Sequence, residues 1–254
     1  MFFNILSSGS KGNSTIIFCK SATLLLDFGI SKKRVNDALK KQNKSFEDLD
    51  AIFITHTHSD HASDVFNAPL DKIYAPQPKL PKIEQILSGE HLVKAYQTIY
   101  VNNVKVTSVP LSHDCPNTMG YIIEEDGEKL SYITDTGFVP EKDFQYIVNS
   151  TYFIFESNHD ATMLFNSKRP DYLIKRIISD TGHLNNYDSA YYLTQLIGKN
   201  TKEVVLFHLS DECNTPTLAM DTFYEVFKTQ RGEIPQVILK CASDKKETLG
   251  GELE

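Results

Sequence analysis

Ala51-Ile52-Phe53-Ile54-Thr55-His56-Thr57-His58-Ser59-Asp60-His61 joins a four-residue apolar run to a polar segment that packs three imidazoles and a carboxylate into six residues. The apolar run reads as a buried strand and the polar segment as the loop that leaves its end. Neutral imidazole and carboxylate suit zinc, manganese or iron, and alternate side chains of such a loop can turn toward two different ions. Without a cation, three histidines and an aspartate held this close would repel and desolvate one another. The segment therefore predicts a metal site at a strand end.

Upstream, Phe2-Phe3-Asn4-Ile5-Leu6 and Ser14-Thr15-Ile16-Ile17-Phe18-Cys19 read as strands around the turn-forming Ser7-Ser8-Gly9-Ser10-Lys11-Gly12-Asn13. A third strand, Thr23 to Leu26, ends in Asp27-Phe28-Gly29, and helical spacing follows from Ile30 to Lys41 with Ser31 as the N-cap. Downstream lie a proline-rich connector (Pro76, Pro78, Pro81), a short helix near Ile83 to Leu87, strands near 93–95, 98–101 and 103–110, and a hairpin turning at Glu125-Asp126-Gly127-Glu128. Beyond Asp135, strands at 151–155, 203–207 and 236–240 alternate with helices near 140–147, 170–178, 186–198 and 216–229. This pattern predicts an α/β protein with one domain over 1–254, its halves about 1–130 and 131–242. The tail from Ser243 to Glu254 is expected to fray.

The 254 residues carry 26 Lys+Arg against 33 Asp+Glu, a formal charge of −7, with 41% hydrophobic and 23% charged residues. A chain of this size buries roughly 70–75% of its unfolded surface, so disorder, collagen and coiled coil are excluded. No apolar run reaches the ~18–20 residues of a membrane span, and MFFNIL lacks the marks of a signal peptide, so a cytoplasmic location is expected. Cys19, Cys115, Cys213 and Cys241 form no C-x-x-C pair and read as reduced, packed thiols. The acidic balance argues against coating nucleic acid through bulk charge, but not against gripping a phosphate locally with metal ions.

Thr55-His56-Thr57-His58-Ser59-Asp60-His61 resembles the signature motif of the metallo-β-lactamase-fold hydrolases, and further matches follow in the family's order. These are His113 in Leu111-Ser112-His113-Asp114, Asp135 in Thr134-Asp135-Thr136-Gly137, and His208 in Phe207-His208-Leu209. The resemblance implies an αββα sandwich of two mixed β-sheets between outer helices. It also implies two divalent ions, zinc, manganese or iron. His56, His58 and His113 would hold one, Asp60, His61 and His208 the other, and Asp135 would bridge them. Asp27 matches an aspartate that braces the ligand loop. Ions so held would lower the pKa of bound water toward ~7 and give a hydroxide able to attack a phosphate, with Asp60 among the catalytic groups.

Within the family, His58 stands where oxygen-reducing members carry a glutamate, which favours hydrolysis. The 73-residue interval from Asp135 to His208 is too short for the inserted domain of RNase J, and no arm of the tRNase Z type is evident. Ser7 to Ser14, Glu156-Ser157-Asn158-His159-Asp160 and Gly182-His183-Leu184-Asn185-Asn186 together resemble the YycJ (WalJ/VicX)-like branch. That branch implies a metal-dependent 5′-to-3′ DNA exonuclease linked to a cell-wall two-component system. By resemblance to phosphodiesterase members, His183 would contact the scissile phosphate or protonate the leaving oxygen; a supporting position behind the ligands is the alternative. Glu156 and His159 would brace the pocket, and Ser10 and Asn13 could donate to a phosphate. A nuclease should show a basic track such as Lys11, Lys79 and Lys82, whereas a small-molecule hydrolase acting on a thioester, lactone or cyclic phosphate should show a closed pocket. A metal-stabilised signalling module without catalysis is the third reading.

Overall fold

β1 (Phe2–Ser7), β2 (Ser14–Phe18) and β3 (Thr23–Leu26) form where short apolar runs stand between turn-forming residues, and every residue of β1 and β3 is buried. The computed structural model describes residues 1–76 and 91–252, so the helix expected near Ile83 to Leu87, together with Pro78, Lys79, Pro81 and Lys82, lies outside the described residues. The chain divides into two compact units, one of Met1–Pro110, Cys115–Gly127 and Ser243–Glu254, the other of Leu111–Asp114 and Glu128–Ala242.

In the first unit, β1 to β3 pair antiparallel, and β4 (Ala51–Phe53), β5 (Ile73–Pro76) and β6 (Leu92–Val93) then continue the sheet in parallel. Between β3 and β4 runs α1 (Lys32–Lys40), capped by the Ser31 hydroxyl, which accepts from the Arg34 N–H. The helix buries Val35, Ala38 and Leu39 in a cluster with Leu6, Phe28, Phe46 and Ile52. This β-α-β step gives β3 and β4 the same direction, so Asp27 and the Thr55 segment leave adjacent carboxyl ends, where open α/β sheets place their ligands. The segment expected as a loop turns helical in its second half: Ser59, Asp60 and His61 open a short helix, α2 (Ser59–Ala62), with His58 at its N-cap. Of the expected proline-rich connector only Pro76 is described, and it forms the last residue of β5. Pro76 is tolerated there because it ends the strand.

β7 (Thr98–Val101), β8 (Val104–Pro110) and β9 (Met119–Glu125) form an antiparallel meander in the same unit. β9 brackets the motif: the Met119 N–H donates to the Thr55 carbonyl at 3.0 Å and the Tyr121 hydroxyl to the Ile54 carbonyl at 2.6 Å.

The second unit pairs β10 (Glu128–Ile133), β11 (Tyr152–Glu156), β12 (Glu203–Phe207) and β13 (Ile238–Cys241) in parallel, in that order. β11 and β12 are buried at every position, as parallel strands covered on both faces must be. The connections carry α3 (Phe144–Ile147), α4 (Ala161–Phe165), α5 (Asp171–Ile177), α6 (Asn186–Leu196) and α7 (Pro216–Arg231). Asp135, Glu156 and His208 all stand at or just past the carboxyl ends of these strands.

The tail was expected to fray, yet β14 (Thr248–Gly251) pairs antiparallel with β1, from Phe2 opposite Gly251 to Ile5 opposite Thr248. Glu247 adds a bond from the Asn4 amide at 3.0 Å and an ion pair with Lys41 at 2.6 Å. All four cysteines are free, Cys115 and Cys213 being buried. Among the described residues no helix is long and apolar enough to cross a membrane.

Two backbone crossings hold the motif loop in the first unit. The Asn13 N–H donates to the Asp60 carbonyl at 2.7 Å, and the Gly29 N–H to the Asn13 carbonyl at 3.0 Å. A Cβ on Gly29 would stand 1.7 Å from the Asp60 carbonyl oxygen, so no larger residue fits without moving the loop. Gly29→Ala is expected to cost at least about 2 kcal/mol in urea unfolding, the upper range of overpacking. An unchanged midpoint would show that the loop can yield.

Candidate metal centre

In the first unit the site grows from Asp27, a fully buried carboxylate at the end of β3. Its Oδ1 accepts from the Thr55 N–H at 2.8 Å and the Thr55 hydroxyl at 2.9 Å, and its Oδ2 lies 2.8 Å from His61 Nδ1. Because the Thr55 hydroxyl donates to Asp27, its oxygen accepts from His56 Nδ1, 3.0 Å away. Both imidazoles are thus oriented through Nδ1, which leaves Nε2 as the nitrogen with a lone pair, the arrangement that metal-ligating histidines adopt. The His56 ring centroid lies 4.2 Å from that of His61 and 4.7 Å from that of His58. Neutral imidazoles are what a divalent ion requires. Asp60 Oδ2 stands 3.6 Å from His61 Nε2.

In the second unit the organising group is Glu156, also fully buried. Its Oε1 receives His183 Nδ1 at 2.8 Å and His208 Nδ1 at 3.0 Å, and its Oε2 accepts from the N–H groups of Thr136 at 3.0 Å and Leu184 at 3.2 Å. Burial alone would raise this carboxyl, but the charge of His183 and the bonds from His183 and His208 outweigh it and hold it at about 2. Asp135 Oδ1 lies 3.6 Å from both His183 Nδ1 and His208 Nδ1, and 3.9 Å from His113 Nε2. Ligand atoms of Asp135, Glu156, His183 and His208 all fall within 4.8 Å of one another, close enough to share one ion. His113 Nδ1–H donates to the Gly182 carbonyl, 3.3 Å away, and burial lowers its pKa despite the attraction of Asp135. The donor chemistry of both units fits divalent metal.

Three of these residues hold left-handed backbone: Asp27 at φ 58°, Asp135 at φ 55° and His208 at φ 59°. Each follows a strand, and each turn swings the side chain off the sheet at a conformational cost that only fixed surroundings sustain.

Other expected site residues fall differently. Asn13 was expected to donate to a phosphate. It is fully buried, its amide bonding Gly9 through both oxygen and nitrogen at 2.8 and 3.1 Å, and its Nδ2 lies 2.8 Å from His61 Nε2. It clamps the Ser/Gly loop to the motif, and an ion on His61 Nε2 would displace its bond. Ser10 is exposed. Lys11, expected on a basic track, pairs with Asp244 at 3.2 Å. His159 is buried, its Nδ1 has no hydrogen-bond partner among the described residues, and burial followed by repulsion from His183 lowers it to about 4. Asn158 and Asp114 fall within the sequence motifs, which assign them no role: the Asn158 amide donates to the His208 carbonyl at 2.9 Å, and Asp114 lies 3.4 Å from His113 Nε2 and pairs with Arg176. Thr55 was visible only as part of the motif.

Known proteins share this fold and sequence. A family model described as a β-lactamase superfamily domain matches residues 23–209. Exodeoxyribonuclease WalJ of Streptococcus pneumoniae serotype 2 is 33% identical over 229 residues, 85% of this chain and 84% of that protein. Exodeoxyribonuclease YycJ of Bacillus anthracis is 30% identical over 239 residues, covering 90% and 89%. Among solved structures, the metallo-β-lactamase fold protein YhfI of Bacillus subtilis matches with a TM-score of 0.69 at 14% identity, over 98% of this chain and 99% of that one. The metallo-β-lactamase fold expected from the motif is therefore the fold of this chain.

The buried ionisable groups set two acid-sensitive windows in the metal-free protein. His159 keeps a folded pKa of about 4 against an ordinary 6.5, so the unfolded chain takes its proton first and stability falls as pH drops through that interval. Glu156, about 2 against 4.5, contributes stability present above 4.5 and lost as pH falls toward 2. Urea midpoints measured across pH in chelator should decline in both windows. His159→Asn should flatten the upper decline and Glu156→Gln the lower; a variant retaining the wild-type slope in its window would remove that residue from the account.

Proposed function

Since this chain belongs to the β-lactamase superfamily, we propose that it is a divalent-metal-dependent DNA exonuclease working in the 5′-to-3′ direction. The observation that carries this reading is its likeness, over most of both chains, to proteins named as exodeoxyribonucleases. The residues that would hold two ions are His56, His58, Asp60, His61, His113, Asp135 and His208, with Asp27 and Glu156 bracing them. When bound, such ions supply charge stabilisation at the attacked phosphorus and a water acidified toward neutral pH.

The chain's own groups do the rest. Cleavage breaks the bond from phosphorus to the 3′ oxygen, and that oxygen leaves as an alkoxide unless a proton reaches it. His183 is suited to deliver one: its side chain is 17% exposed, and Glu156 Oε1 fixes its Nδ1 at 2.8 Å so that Nε2 remains for transfer. Glu156 stays ionised throughout, because its four bonds favour the carboxylate, and it stabilises the imidazolium before the proton is given up. Asp27 and Thr55 keep His56 and His61 in one tautomer, which spares the site reorganisation during turnover.

The test is cleavage of end-labelled, 5′-phosphorylated single-stranded and duplex DNA by manganese- or zinc-loaded protein. Mononucleotides should be released stepwise, and Asp60→Ala should abolish their release. His183→Ala should slow it by about 10²–10⁴-fold, with a smaller loss on bis-p-nitrophenyl phosphate, whose leaving group needs no proton. If both DNAs stay intact while a thioester, lactone or small phosphodiester is hydrolysed, the nuclease reading fails and the small-molecule reading replaces it.

A further inference from the structure

His183 sits on a loop with a helix on either side in sequence, and both helices turn aromatic rings to solvent. On α6, Tyr187 and Tyr191 are 52% and 42% exposed, one turn apart, with rings within 6° of parallel and centroids 6.5 Å apart. The opposite face of that helix, including Ala190, Leu193 and Leu196, is buried. α6 is also keyed to the candidate site. The Ser189 hydroxyl donates to the Glu156 carbonyl at 2.5 Å, the Ser157 hydroxyl donates to the Asn186 side chain at 2.7 Å, and Asn185 caps the first turn. The exposed rings therefore hold a fixed position relative to the carboxylate that orients His183.

On the other side, α5 ends in Lys175 and Arg176, both exposed, and the His183 N–H donates to the Ile177 carbonyl at 2.9 Å. Flat exposed rings that begin four residues after His183, with exposed Lys175 in the last turn of the helix before it, match a ligand that combines flat π faces with regular negative charge. Single-stranded DNA is such a ligand, whereas a duplex hides its base faces. Tyrosine suits the task, since base–ring stacking tolerates any sequence and needs no net positive protein charge.

We propose that Tyr187 and Tyr191 form a stacking platform for unpaired bases of the DNA strand entering the His183 site, with Lys175 meeting its phosphates. This rests on the nuclease reading above and names how that site holds its substrate.

The chain contains no tryptophan, so Tyr187→Trp and Tyr191→Trp each create a single fluorescent reporter. The metal-loaded variants would be titrated with a phosphorothioate oligonucleotide of about twelve thymidines, which resists cleavage, and with an abasic oligonucleotide of equal length and charge. Indole emission should be quenched by the first and not by the second. Tyr187→Ala and Tyr191→Ala should each weaken binding of the thymidine oligonucleotide about tenfold by fluorescence anisotropy, with little change for the abasic one. Absence of quenching, in protein whose wild type digests DNA, would overturn the platform and leave the nuclease reading standing; absence of quenching together with inert wild type would overturn both. If the double alanine variant instead changes from dimer to monomer in sedimentation with oligonucleotide affinity unchanged, the face is a self-interface and the platform is refuted.

Discussion

A carboxylate shut away from water fixes the imidazole beside it, and both candidate ligand sets of this protein depend on that constraint. Asp27 orders His61 directly and His56 through the Thr55 hydroxyl. Glu156 orders His183 and His208 together. In each case the carboxylate engages Nδ1, and the ring is aimed through its other nitrogen. Burial makes the arrangement stringent, because a stranded donor in such a place costs about 1–3 kcal/mol. The candidate ligands are thus oriented by the protein's own hydrogen bonds.

Three of the candidate site residues are carried off their strands by the backbone itself. Asp27, Asp135 and His208 each take a left-handed conformation near φ 55–59° after a strand, although none is glycine. Such strain persists where neighbours over-determine it. For Asp27 those neighbours are visible: its N–H donates to the Phe53 carbonyl, and Phe28 and Gly29 beside it bond the carbonyls of His61 and Asn13. The close approach of Gly29 to Asp60 belongs to the same lock, in which the loops after β3 and β4 support each other.

How much of this was legible in sequence depended on the range of the interaction that carries it. The strand ending at Phe53, the His and Asp spacing after it, and the β-α alternation beyond Asp135 are local patterns, and they led to the fold and to the candidate ligands. The Ser31 cap was likewise local and stands in the structure. The role of Asn13 was not, since a Ser/Gly loop reads the same whether its asparagine faces a phosphate or is buried against His61. Nor was the last strand. Two glycines and an exposed Leu249 look like a fraying end until β1, more than two hundred residues away, supplies the backbone partners. Pro76 misled for a related reason: proline argues against a strand interior but says nothing of a strand end. Glu156 was noticed, but four bonds converging from Thr136, His183, Leu184 and His208 are a property of the folded chain alone.

The formal charge of −7 poses the last physical question, because a polyanion must approach an acidic protein. Long-range attraction cannot be the answer, since at physiological salt it decays over about 8 Å. The remedy has to be local. Ion pairs already engage several surface cations, Lys11 with Asp244 and Arg176 with Asp114 among them, which reduces what charge alone can contribute. Divalent metal at the histidine–carboxylate ligands would concentrate positive charge where the scissile phosphate must sit. Aromatic stacking adds contact energy that salt barely screens. An acidic nuclease built this way would capture DNA slowly and hold it mainly at the reacting end, a behaviour suited to trimming termini rather than to coating or sliding along a duplex.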